Sequence, residues 1–475
     1  RQYRDWFGAE NFFLELQQNL VKDDTLRNRL MANIAAEIGV GVVATNNAHY
    51  HDVSRSRLND ALVAIQHNKS MEESHRERRP NDQFYLKHPD EMAALFSDYP
   101  EAIANTVRIA ERCDLELTTD VIYEFPDYDV PDGHTQATWL RQLCEEAAIR
   151  RYGEVTMAVK ERLDEEIRLL SMHALCGFML QYYDIIKIAR EVQEELGLVE
   201  PGLPLEVNPP GRGRGSSVSM LVGYLIGLSH IDPLEFNLKL DRFLSEEMGS
   251  VPDIDLDFPR DIREQLILRV HERWGYDRAV LTGMISTYRI KGCIRDLGKA
   301  LGMPVEDLDK LTKRIDGHAR VSQLGQELQE LPEFRDRANS QQWRDLVELS
   351  QQLKGFPKYL AQHPGGMILS ARPLSETVPL QRSAMEGRFI CQWDKDSIDD
   401  AGFVKIDFLA LGALSQMNEA IKLIELHREE RVDLSRIDFS DQKVYKSIHE
   451  ADTIGVFQVE SAAQMQTTPR IRPKD

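Results

Sequence analysis

The sequence predicts a multidomain α/β protein. Three observations carry that prediction: a βαβ pattern in the opening residues, strand-like runs at Pro252–Phe258 and Gly402–Leu409, and long helical patterns around them. The length of 475 residues fits roughly two to four domains at about 150 residues each.

Phe12 to Gln17 reads as a short strand, and Leu26, Leu30, Ile34 and Ile38 form the apolar face of a helix. Gly39 stops that helix, and Val40 to Thr45 makes a second strand before Asn46 and Asn47. Such units build parallel sheets or barrels, with chemistry at the carboxyl ends of the strands. Asp90 to about Cys113 is helical, and Tyr123 to Gly133, rich in Pro, Asp and Tyr, predicts a linker. Helical patterns return from Gln136 to Leu196. A Pro/Gly segment, Glu200 to Gly215, then runs into an apolar helix, Val218 to Leu228. Between the two later strand runs the chain is mostly helical and charged, and Val305–Ile315 and Gln341–Leu353 read as solvated helices of a small subdomain. There is no internal repeat and no low-complexity tract.

Composition excludes several classes. With 42% hydrophobic and 29% charged residues the chain is ordinary globular material. Val218 to Leu228, its longest near-continuous apolar stretch, is far short of the ~20 residues of a bilayer span. No secretory signal opens the chain, and Arg1 in place of Met suggests a piece of a longer polypeptide. Five scattered cysteines without a C-x-x-C pair point to reduced thiols in the cytoplasm. Lys and Arg number 58 against 78 Asp and Glu, a net charge of −20. That balance repels nucleic acid unless basic groups and metal ions are concentrated locally.

Three constellations carry chemistry. Gly211-Arg212-Gly213-Arg214-Gly215-Ser216-Ser217 precedes the apolar helix. Its glycines let backbone N–H groups approach an anion, its arginines add charge, and Ser216 and Ser217 offer hydroxyls to phosphate oxygens. A flexible turn with Ser217 as N-cap explains the same residues equally well. No Lys follows the last glycine, so this is not a Walker A loop. In Asp253-Ile254-Asp255-Leu256-Asp257 the alternation puts three carboxylates on one strand face. Their repulsion calls for a positive partner, and hard oxygen ligands at this spacing suit Mg²⁺. An exposed edge strand with a solvated acidic face is the simpler alternative. In Lys405-Ile406-Asp407 a lone Asp sits in an apolar strand, and by itself a Lys405–Asp407 contact accounts for it. Together the three describe a two-metal nucleotidyl-transfer site, in which two ions about 4 Å apart need carboxylates from two strands. The Gly-Ser loop would hold the triphosphate, and Lys405 would offset charge near the α-phosphate or hold the primer end.

The segment from Gly211 to Glu264, with GRGRGSSVSMLVGYLIGLSHIDPLEF and PDIDLDFPRDIRE, resembles the palm of the bacterial C-family polymerases, the DNA polymerase III alpha subunits. FVKIDFLALGAL is similar to the strand bearing that family's third catalytic aspartate, and IRDLGKALGMP, HPGGMIL and IGVFQVES are further landmarks in the same order. ATNNAHY, CQWDKDSIDDAGFVKIDFL, ESAAQMQTTPRIRP and Gln362 before His363 resemble the error-prone branch, associated with translesion synthesis.

The resemblance implies a polymerase-beta-like nucleotidyltransferase palm with an inserted helical thumb, following a partial β/α barrel, the polymerase-and-histidinol-phosphatase domain. Its implied boundaries are residues 1–122 for the barrel's later part, 123–284 and 363–412 for the palm, 285–362 for the thumb and 413–475 for the start of the fingers. It implies Asp253, Asp255 and Asp407 as ligands of two Mg²⁺ ions, and Gly215 and Ser216 as the triphosphate-binding pair, flanked by Arg214. Asp257 shares the strand face and is read as structural. Arg289, Lys291, Arg295 and Lys299 are candidates for duplex phosphates; an ordinary solvated helix face is the alternative. Primed DNA and dNTPs would be the substrates, and a sliding clamp or other mutagenesis and replisome proteins would bind regions outside this sequence; no membrane is implied. Asn19 and Asn47 stand where metal-binding members of the barrel domain carry His and Asp, leaving His49 and Glu15. That domain is therefore read as structural. The competing readings are another Mg²⁺-dependent nucleotidyltransferase of the same palm type and a metal-dependent phosphoesterase built on the barrel.

Overall fold

The computed structural model describes every residue except 122, 241–243, 248–253, 317–319 and 475, together with all side chains but those of Ser216 and Ser435. The chain divides into two compact units. One joins Arg1–Glu116 to Ile285–Tyr359, and the other joins Leu117–Met284 to Leu360–Asp475. No helix among the described residues is long and apolar enough to cross a membrane.

The first unit opens with the expected βαβ element. β1 (Phe13–Gln17) and β2 (Gly41–Thr45) pair in parallel from Phe13↔Gly41 to Gln17↔Thr45, connected by the helix Asp24–Ile38. These two strands make an open sheet rather than a closed barrel. The face of the helix is not the expected one. Leu26, Leu30 and Ile34 are exposed, while Asp24, Asn28, Ala35 and Ile38 are buried. The buried face serves the strand end. Asn28 accepts from the Gln17 N–H at 3.1 Å and donates to the Gln17 carbonyl at 3.0 Å.

The remainder of this unit is helical. Ser56–Gln66 packs against Ile290–Ala300, Val305–Arg314 and Gln341–Leu353 over a core containing Leu58, Ile294, Leu297, Leu308, Trp343 and Leu346. The last two helices are amphipathic rather than merely solvated. Gly298 permits the close approach of Ile290–Ala300 to Val305–Arg314, because a Cβ there would lie 2.7 Å from Leu308 Cδ1.

The second unit is built on a mixed seven-stranded sheet with helices packed on it. Its strands are β3 (Arg212–Gly213), β4 (Asp255–Pro259), β5 (Ala279–Thr287), β6 (Pro357–Leu369), β7 (Leu380–Arg382), β8 (Phe389–Cys391) and β9 (Lys405–Leu411), in the order β3-β4-β9-β6-β5-β8-β7. Two of them, β5 and β6, have their outer ends, residues 285–287 and 357–359, in the first unit. β4 runs parallel to β9, and β3 and β6 are antiparallel to their neighbours β4 and β9. The chain between β4 and β9 is thus not all helical, since it returns to the sheet four times. Ile254, Leu256, Phe258, Ile406 and Phe408 turn into a core shared with the helices Gln136–Tyr152, Met157–Met172 and Cys176–Glu195.

The segment Tyr123–Gly133 carries no helix or strand, in keeping with a linker, and it is anchored, because the Tyr123 hydroxyl donates to the Leu369 carbonyl at 2.7 Å. One further expectation changes. The apolar run after the glycine loop forms only a 3-10 turn, Gly215–Ser219, and a short helix, Leu221–Leu225. Its start is held from outside. The fully buried Glu166 carboxylate accepts from the N–H groups of Leu221 and Val222, each at 2.8 Å, and pairs with Arg162 at 2.7 Å.

Candidate active site

Strand register brings the predicted carboxylates together. Asp255 and Asp407 are direct partners across β4 and β9, so their side chains emerge from one face of the sheet. Asp257 follows two residues later on that face. Asp253 lies outside the described residues. Among those described, no three His, Cys, Asp or Glu side chains form a metal-binding group.

Cations already stand against these acids. Arg214 reaches Asp257 Oδ2 with Nε at 2.9 Å and Asp255 Oδ2 with Nη2 at 3.4 Å. Lys405 Nζ donates to Asp407 Oδ2, and this pair is buried. Two carboxylate oxygens are left over. Asp257 Oδ1 and Asp407 Oδ1 are buried with no hydrogen-bond partner among the described residues. Such atoms are costly unless a cation or donor meets them. Burial holds the Asp257 carboxyl above the usual range, against the pull of Arg214 and with the help of Asp255.

β6 closes the other side of Asp407. Gly366 is its register partner and adds no side chain to the crowded face. A Cβ there would run into Thr282, with His363 Nδ1 at 2.9 Å and Lys405 Cδ at 3.1 Å. His363 Nδ1 accepts from the N–H groups of Gly366 at 2.6 Å and Gly365 at 3.2 Å, and lies 3.8 Å from Asp407 Oδ1. Burial holds this imidazole below its ordinary pKa, so the neutral ring keeps the acceptor that pins the two glycines.

On the far side of β4, β3 pairs Arg212 with Asp257 and carries the glycine loop past the acids. Arg214 N–H donates to the Asp255 carbonyl at 3.2 Å, which ties the loop to the strand. Ser217 is buried, and its hydroxyl donates to the Arg214 carbonyl at 2.8 Å. Ser217 thus has a partner inside its own turn. With the following helix so short, the positive potential here comes mainly from Arg214 rather than from a helix dipole.

These motifs coincide with family-wide matches. The profile of the bacterial DNA polymerase III alpha NTPase domain matches residues 138–410, and that of the alpha subunit finger domain matches 413–475. The chain belongs to the bacterial DNA polymerase III alpha family. It is 36% identical over 468 residues to the error-prone DNA polymerase of Pseudomonas syringae, covering 98% of this chain and 43% of that protein. It is 37% identical over 475 residues to the enzyme of the same name from Pseudomonas paraeruginosa, covering 99% and 44%. With that of Rhodopirellula baltica it shares 34% over 473 residues, covering 99% and 40%. The chain therefore spans less than half the length of the curated relatives it matches.

Other predicted residues of this polymerase III alpha family member lie in the first unit. Lys291, Arg295 and Lys299 recur every four residues along the helix Ile290–Ala300, and Arg289 is its N-cap. Arg289, Arg295 and Lys299 are exposed, and none of the four is in an ion pair among the described residues. Asn19 is buried and its amide donates to the carbonyls of Asn46 at 2.8 Å and Gln83 at 3.2 Å. Glu15 accepts from the Thr45 hydroxyl, and His49 is exposed. Sequence reading alone missed His363 and Glu166 as positioning groups. The HPGG string signalled the first, while an isolated Glu on a helix signalled nothing.

Proposed function

We propose that this chain carries the nucleotidyl-transfer centre of a template-directed DNA polymerase of the error-prone branch, adding dNTPs to a primer 3′-hydroxyl in translesion synthesis or replication. The observation that carries the reading is the direct pairing of Asp255 with Asp407, which presents two carboxylates at one point of the sheet with an unpartnered buried oxygen on Asp407. A hard divalent cation fits such a donor set. Asp255 and Asp407, with Asp253 upstream, would hold two Mg²⁺ ions. Those ions supply a lowered pKa for the primer hydroxyl and charge neutralisation for the triphosphate.

The protein's own groups do the rest. Arg214, Gly215 and Ser216 orient the triphosphate along β3 and the turn that follows it, with Ser217 bracing that turn from within. Lys405, beside Asp407, offsets charge developing at the α-phosphate. Gly366 and His363 fix Asp407 against its neighbouring strand, so positioning is built in before substrate arrives. Arg289, Lys291, Arg295 and Lys299 take duplex phosphates, which concentrates positive charge on an otherwise acidic chain. The helical insert would then be the thumb, and the seven-stranded sheet the palm.

We read the barrel-like first segment as structural. The Asn19 amide nitrogen is committed to the carbonyls of Asn46 and Gln83, and a neutral amide binds a cation more weakly than the ligand it replaces. The test is Mg²⁺-dependent primer extension by the complete natural polypeptide and its Asp255→Asn and Asp407→Asn forms. Template-dependent incorporation lost in both variants supports the reading. Incorporation without a template, or full turnover in Asp407→Asn, removes it.

A further inference from the structure

The second unit contains a cleft of about 580 Å³ that the transfer chemistry does not use. The loop Gly197–Arg212, His230, the helix Gly412–Arg428 and residues 431–434 line it, with Pro201, Pro209 and Pro210 among its walls. Its inner end carries more positive charge than its surroundings match. Arg212 is half-buried, and its one hydrogen-bond contact among the described residues is the Met417 thioether at 4.0 Å. No carboxylate pairs with it there. Behind the wall, Arg190 is buried with Nε and Nη1 unpartnered, and its Nη2 holds the carbonyls of Val207 at 2.9 Å and Asn208 at 2.8 Å. His230 is 9% exposed, and its Nδ1 has no hydrogen-bond partner among the described residues.

The nearby carboxylates are already engaged. Asp433 pairs with Arg151 at 3.2 Å, and Glu200 and Glu425 both meet Arg431. Of the two carboxylates that act on Arg190, Glu206 pairs with Arg150 at 2.5 Å and Glu194 accepts from the Gly202 N–H at 2.9 Å. Glu200 and Glu425 are also largely solvated, so they do little to neutralise the buried end. An unmatched buried guanidinium is costly, and a planar fork of N–H donors suits phosphate oxygens. We propose that this cleft binds a small phosphate-bearing anion, with Arg212 and His230 as direct contacts and Arg190 as the charge behind them. The volume admits a mononucleotide, so the phosphate belongs either to a free inorganic anion or to a nucleotide.

The test is calorimetric titration of the chain with pyrophosphate in the Arg214→Gln background, which disables the glycine loop's own cation. Saturable binding at one site, weakened roughly tenfold or more by Arg212→Gln and partly kept by Arg212→Lys, is the expected result. Arg212→Gln without anion should also keep or raise Tm, because it removes an unmatched charge. Displacement of pyrophosphate by a deoxynucleoside monophosphate would identify a nucleotide, and its absence a free anion; either supports the site. Absence of saturable binding, equal binding in Arg212→Gln, or a large fall in that variant's Tm would overturn the proposal.

Discussion

Asp255 and Asp407 come from chain segments about 150 residues apart, yet they are register partners on adjacent parallel strands. They differ in burial. The Asp255 side chain is 36% exposed, while that of Asp407 is 10% exposed and tied to Lys405.

That difference separates two substitutions that should look alike in an activity assay. Both Asp255→Asn and Asp407→Asn should abolish nucleotide incorporation. Asp255→Asn should leave stability within about 0.5 kcal/mol. Asp407→Asn should cost about 1–3 kcal/mol, because the buried Lys405 loses its charged partner. Urea denaturation of the two variants checks the contrast.

Gly366→Ala adds one methyl group where Thr282, His363 and Lys405 leave no room. Overpacking of this kind costs about 1–3 kcal/mol. Because the strain falls on the strand that fixes Asp407, incorporation should drop by more than the stability loss explains. Turnover at a temperature where the variant is fully folded measures this directly.

Reversing the basic stripe should act on DNA rather than on nucleotide. Lys291→Glu, Arg295→Glu and Lys299→Glu should each weaken primed-DNA binding and lower the salt slope by about 0.9 for each phosphate no longer neutralised. Nucleotide KM at saturating DNA should stay constant. An unchanged salt slope would make this an ordinary solvated helix face.

Burial, reinforced by Arg212, pushes His230 down to about 3; Arg151 and Arg190 act in the same direction and Asp433 against it. The imidazole is therefore neutral in the fold and protonates near pH 6.5 in the unfolded chain. Stability from this group is complete above pH 6.5 and declines as pH falls toward 3, by about 1.4 kcal/mol at pH 5.5. Replacing it, as in His230→Gln, should flatten that acid slope in denaturation curves taken between pH 7.5 and 5.

Glu166→Gln tests the brace beneath the glycine loop. The amide keeps one acceptor oxygen but gives up the ion pair with Arg162 and one backbone hydrogen bond. The expected cost is about 1–3 kcal/mol. Hydrogen exchange at Leu221 and Val222 should rise with it.

Local pattern determined a good deal by itself. The βαβ opening, the helices at Val305–Arg314 and Gln341–Leu353, and the carboxylate alternation at Asp255 and Asp257 follow from period and turn chemistry, which are properties of neighbouring residues. The resemblance to a polymerase family was legible for the same reason, because its motifs are short contiguous strings. Tertiary structure decided the rest. The helix Asp24–Ile38 buries Asn28 against the strand end rather than its stripe of Leu26, Leu30 and Ile34, a choice made by contacts between distant residues. The apolar run after the glycine loop broke into short turns, because Glu166, some fifty residues upstream, captures its N–H groups. Register alone set Asp255 beside Asp407, and burial alone left Asp407 Oδ1 and His230 Nδ1 without partners. Such properties depend on residues far apart in the chain meeting in space, which no local period encodes.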